Sequence, residues 1–120
     1  MACAIYRRYG DVVKDNIYSI TTSSLTYELT RKVYKLLGLP TDNIFTFNCY
    51  ALLDEKSDKC TKQLLAIKPD VVCGVPPFSS KAEGGRGDGG IAIYHKFFNY
   101  AKDNLCARFI TMMMQSAWYN

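Results

Sequence analysis

The residues Val75-Pro76-Pro77-Phe78 stop the apolar run 70-DVVCG-74 with a double proline and an aromatic, and a glycine-rich stretch follows at 84-GGRGDGG-90. Prolines fix φ and stiffen a turn. A chain that interrupts a buried strand in this way and then turns to glycine marks the turn as a place where a ligand sits. The glycine stretch itself could cradle a phosphate, but it lacks the Lys-Ser/Thr of a P-loop and reads as a connecting loop. Within it, Arg86-Gly87-Asp88 is the adhesion tripeptide by letters alone, and in a cytoplasmic chain it is a chance match. His95 is the single histidine. No acid or nucleophile is placed with it, so it reads as a helix-surface side chain rather than a base.

Metal chemistry has little to work with. The five cysteines, Cys3, Cys49, Cys60, Cys73 and Cys106, form no CxxC pair. With only one histidine they offer neither a disulfide framework nor zinc-ligand spacing. Reduced thiols in a cytoplasmic protein are the expectation. Met112–Met114 reads as core packing.

The elements that must position the turn come from periodicity. Asn16–Ile20 and Asn43–Phe47 are short β-prone runs. Between them Leu25, Leu29, Val33, Leu36 and Leu37 recur at helical spacing until Gly38 and Pro40, which predicts a helix from Ser24 with these residues as its apolar face. Ser57 to Ile67 predicts a second helix with Leu64, Leu65 and Ile67 on one side. Asp70–Cys73 is a third strand. Ile91–Asn104 predicts a helix with Tyr94, Phe97, Phe98 and Ala101 on one face, and Ala107–Met114 is an almost wholly apolar strand of the kind found inside parallel sheets. The order β-α-β-α-β-loop-α-β predicts an α/β, doubly wound, mostly parallel sheet. Ligands bind such sheets beyond the carboxyl ends of the strands. That rule places Thr21–Ser24, Asn48–Tyr50 and Val75–Phe78 on one rim.

Bulk properties bound the function. At 120 residues, 48% apolar and 22% charged, the chain reads as one soluble domain, 1–120. No apolar run is long enough to span a membrane, and MACAIYRRYGD is charged too early for a secretory signal. The net charge of +4 comes without a basic stripe, so it tolerates nucleic acid without announcing it.

The segment DVVCGVPPFSS, the glycine loop, the IYHKFF helix and the closing QSAWYN together resemble the catalytic half of DNA N6-adenine methyltransferases. The branch resembled is the single-chain restriction-modification type, with its Asn-Pro-Pro-Phe/Tyr motif. The resemblance covers 70–120 well and 16–68 more weakly. It implies a Rossmann-like sheet, S-adenosylmethionine as cofactor and DNA as substrate. In that family the Asn or Asp side chain and the first proline's carbonyl accept the two N–H bonds of the adenine amine, freeing its lone pair toward the methyl donor. The aromatic stacks on the flipped-out base. By that implication Val75, Pro76, Pro77 and Phe78 occupy the catalytic motif. Phe78, Ser116 and Trp118 line the substrate side, although the segment with Ser116, Trp118 and Tyr119 reads equally as an exposed apolar tail. Ala117 stands where the family has arginine.

The departures are concentrated at the functional positions. Val75 replaces the Asn/Asp acceptor, and losing one preorganised partner of this kind costs on the order of 10²–10³ in rate. Thr21 and Tyr50 stand where the family places acids for the cofactor's ribose and near its adenine ring. The glycine turn that holds the cofactor, and the first strand before it, have no counterpart, and MACAIYRRYGD resembles only the helix that follows them. The expectation is an incomplete, degenerate methyltransferase-like domain with impaired catalysis. Two alternatives stand beside it. One is half of a split enzyme completed by a partner chain. The other is a non-enzymatic interaction module, with self-association through exposed sheet edges.

Overall fold

Ser23 and Thr26 fix where the main helix begins. The Ser23 hydroxyl accepts the Thr26 N–H at 3.2 Å, and the Thr26 hydroxyl accepts the Ser23 N–H at 3.0 Å, a reciprocal box that satisfies two orphan donors. At the other end Gly38 takes the left-handed conformation at φ 67°, and the Leu39 N–H reaches back to the Tyr34 carbonyl at 2.8 Å. The helix, α2, is therefore Ser24–Leu37, as its cap residues predict. The computed structural model describes residues 1–53, 58–80 and 91–114. The chain divides into two compact units, Met1–Ala51 and Leu52–Asn120.

The first unit runs α1 (Ala2–Tyr9), a 3-10 stretch (Gly10–Asn16), β1 (Ser19–Thr21), α2, a short 3-10 turn and β2 (Ile44–Asn48), then a 3-10 turn at Cys49–Leu53. β1 and β2 pair in parallel, Ser19 opposite Ile44 and Thr21 opposite Asn48, with an irregular register between. The core is Ile17, Tyr34, Leu39 and Ile44, with Ile5, Tyr6, Val13, Tyr27 and Leu37 packed against it. Here the expected apolar face of α2 is corrected. Tyr34 is wholly buried and Tyr27, Val33 and Leu37 half-buried, whereas Leu25, Leu29 and Leu36 face solvent. The helix carries two apolar stripes. The tyrosine stripe turns inward because Tyr34 brings a large ring and its hydroxyl meets Ser19 at 2.7 Å, so that among the described residues no buried side-chain polar atom is left unpaired.

The second unit runs α3 (Asp58–Ile67), β3 (Val71–Gly74), β4 (Ser79–Ser80), β5 (Ile91–Ala92), α4 (Tyr94–Asn99), a π turn (Tyr100–Asn104) and β6 (Phe109–Met112). β3 and β6 are parallel and in register, Val71 opposite Phe109 through Gly74 opposite Met112. The Phe109 N–H to the Asp70 carbonyl and the Met113 N–H to the Gly74 carbonyl extend the ladder at both ends. Leu64, Ile93, Tyr94, Phe97 and Ala101 are buried. The 91–104 helix expected from periodicity starts three residues later than the pattern suggests. Ile91 and Ala92 instead pair antiparallel with Ser80 and Ser79, and β-branched Ile91 suits a strand better than a first helical turn.

The fold is thus α/β: among the described residues each unit carries one parallel two-stranded ladder, and the second adds the antiparallel β4–β5 pair. β6 is also less buried than its composition suggests. Phe109, Thr111 and Met113 are exposed and Ile110 and Met112 half-buried, so one face of the ladder is covered. An apolar run does not by itself distinguish one covered face from two. Among the described residues no helix is long and apolar enough to cross a membrane, and no three His, Cys, Asp or Glu side chains cluster to hold a metal. The glycine stretch 84–90, Ser57 and the closing segment with Ser116, Ala117, Trp118 and Tyr119 lie outside the described residues.

Candidate functional site

The turn begins where β3 ends. Gly74 is fixed through its carbonyl by the Met113 N–H at 3.0 Å, so Val75 leaves the ladder from an anchored point. Val75 is 56% exposed, Pro76 and Pro77 are half-buried, and Phe78 is 38% exposed. The turn closes as firmly as it opens. The Phe78 carbonyl accepts the N–H of buried Ile93 at 3.1 Å, and the β4–β5 pairing continues from there. Two prolines of fixed φ between two anchored ends make a stiff presentation of one aliphatic and one aromatic side chain. Val75 brings an isopropyl group and no hydrogen-bond acceptor. What the turn offers is main-chain carbonyls, an apolar surface and a ring.

In the first unit, Thr21 and Tyr50 follow the carboxyl ends of β1 and β2, which lie side by side. Thr21 is buried, and its hydroxyl makes a long hydrogen bond, 3.5 Å, to the Ser23 carbonyl within its own loop. Asn48 accepts the Tyr50 N–H on its side-chain oxygen at 3.0 Å, a local turn that fixes how the chain leaves β2. Between them Cys49 is buried, and burial pushes its thiol pKa up, away from the thiolate that a reactive cysteine needs. Tyr50 is 40% exposed. No carboxylate occurs in Thr21–Ser24 or Asn48–Tyr50, so these residues themselves offer a ribose diol no anionic group.

The structure therefore brings Thr21 and Tyr50 to one edge of the first unit and Val75–Phe78 to a strand end of the second. Ser116 and Trp118 lie outside the described residues. His95 is exposed and meets the Tyr94 ring edge-on at 5.8 Å, with no catalytic partner among the described residues. Sequence reading missed the Arg108 guanidinium, which lies 5.3 Å from the Phe109 ring centre. A cation directly preceding an aromatic was the available signal. No protein-family model, no curated protein and no solved structure matches the chain.

Proposed function

We propose that the chain is a degenerate, Rossmann-like relative of the DNA N6-adenine methyltransferase core, of the restriction-modification type, that retains the base-side turn and has lost most of its catalytic power. The observation that carries this reading is the placement of Val75-Pro76-Pro77-Phe78. The turn leaves the carboxyl end of a strand in a parallel pair, is anchored at Gly74 and Phe78, and presents the motif position and the ring to solvent. A pocket that once held a flipped adenine needs that arrangement. The acceptor at position 75 is gone, and Thr21 and Tyr50 offer hydroxyls where S-adenosylmethionine needs acids. A pseudoenzyme of the cytoplasm, with DNA as its ancestral substrate, follows from the same premise.

Isothermal titration with S-adenosylmethionine tests it. The expected dissociation constant is weaker than about 1 mM, equivalent to some 4 kcal/mol of binding at most. Micromolar affinity would overturn the degenerate reading and favour a working cofactor site.

A second reading is supported by the open face of the β3–β6 ladder, where Val71, Phe109 and Met113 are 57%, 57% and 68% exposed. Parallel ladders are ordinarily covered on both faces, so a non-enzymatic interaction module, or half of a split enzyme awaiting a complementing chain, would use this surface. Activity on mixing with a fragment that carries the glycine turn would select the split enzyme.

A further inference from the structure

Only one of the two apolar stripes on α2 is used by the fold of its unit. Leu25, Leu29 and Leu36 are 79%, 62% and 86% exposed. With Lys32 they recur at steps of four, three and four, the spacing of a coiled-coil seam, and form a single row along the outer face. Glu28 and Lys35 lie seven residues apart on one flank of that row. Both are exposed, and among the described residues neither is in an ion pair.

We propose that α2 pairs with α2 of a second copy of this chain, antiparallel, about a two-fold axis between Leu29 and Lys32. That axis sets Leu25 against the partner's Leu36, and Leu29 along the aliphatic stem of the partner's Lys32. It also brings Glu28 beside the partner's Lys35, and by symmetry the same contacts form a second time. Charge selects both occupant and direction. A parallel, in-register pair would turn this flank toward the partner's opposite flank, where Thr26 and Val33 stand, and leave Glu28 and Lys35 without an opposite charge. The antiparallel pair sets opposite charges together, so the stripe is complementary to itself. Each copy offers on the order of 500 Å², about 1,000 Å² for the pair, which is the low end of specific interfaces and suits a reversible dimer. A lysine in the seam weakens the pair while fixing its register. This inference uses the first unit alone and is independent of the methyltransferase reading.

Sedimentation equilibrium of the full chain between about 1 μM and 1 mM tests it, with a monomer–dimer equilibrium expected in that range. Leu36→Glu should raise the dissociation constant at least about a hundredfold, because each dimer loses the leucine contact twice. Glu28→Lys and Lys35→Glu should each weaken self-association about tenfold. An equimolar mixture of the two should associate at least as well as the wild type, since one flank is then all lysine and the other all glutamate. A monomeric wild type across the range would overturn the proposal, and so would a dimer indifferent to Leu36→Glu. A mixture no tighter than its separate components would also overturn it. Circular dichroism of the variants should be unchanged, because these side chains face solvent. Should Leu36→Glu lower the Tm, the charge-reversed mixture decides.

Discussion

The hydroxyls of Ser19 and Tyr34 meet at 2.7 Å, tying β1 to α2 through the one wholly buried large side chain of the first unit. Removing either partner has unequal consequences. Ser19→Ala strands the Tyr34 hydroxyl where water does not reach and should cost about 1–3 kcal/mol. Tyr34→Phe leaves a half-buried serine that can turn to solvent, so it should cost less. The double variant should be more stable than the sum of the two losses implies, by at least about 0.5 kcal/mol. Urea unfolding of the four proteins measures this directly, and simple additivity would show that the bond contributes nothing.

The same phenol sets an alkaline limit. Burial pushes the Tyr34 pKa above its ordinary 10.0, the Ser19 hydrogen bond pulls it the other way, and the nearby Cys3 adds to the rise. A group whose folded pKa is raised contributes stability that is fully present below its unfolded pKa. That stability is lost as pH rises through the folded value. Stability should therefore hold up to about pH 10 and fall beyond it, and Tyr34→Phe should flatten the decline. Denaturant titrations at stepped alkaline pH are the measurement, and an equal slope in the variant would remove Tyr34 from the account.

Gly38 and Gly74 make a matched pair of tests. A Cβ at Gly38 would meet only the Lys14 ammonium, at 4.0 Å, yet the residue sits at φ 67°, so Gly38→Ala should cost about 1–2 kcal/mol through backbone strain alone. At Gly74 the φ is ordinary and a Cβ would meet nothing within 4 Å. Gly74→Ala should change stability by less than about 0.5 kcal/mol. Thermal melts of both variants separate conformation from space as the reason for glycine.

Val75→Asn places an acceptor at an exposed turn position and should leave stability within about 0.5 kcal/mol of the wild type. On the proposed methyltransferase reading it should yield no methyl transfer to DNA by itself, because Thr21 and Tyr50 provide no acid where that reading places S-adenosylmethionine. Labelled-methyl transfer assays, with and without a fragment that carries a glycine turn, check this. Equal activity of the Val and Asn forms in the mixture would remove position 75 from the chemistry.

What the sequence discloses here depends on how local the signal is. The bounds of α2 are legible because Ser23 and Gly38 act on backbone groups within their own turn. Which face of α2 turns inward is not legible, since Leu25, Leu29 and Leu36 are as apolar as Tyr27, Tyr34 and Leu37. The choice rests on Ser19, fifteen residues from Tyr34. Likewise Ile91 and Ala92 read as helix by periodicity and become strand through Ser79 and Ser80. The Pro-Pro-Phe turn was legible as a site candidate because prolines restrict the chain wherever they stand. The clasp that closes it, Ile93 on Phe78, is a non-local bond and leaves no mark in composition.

That clasp has a use in engineering. Ser80 lies opposite Ile91, so the two ends of the stretch between them are held side by side. For ends held together in this way, doubling the length of chain between them costs only about 0.6 kcal/mol of closure entropy. The stretch between residues 80 and 91 is thus a natural splice point, where a reporter or recognition peptide can be grafted with the Pro-Pro-Phe turn kept beside it as a rigid doorpost.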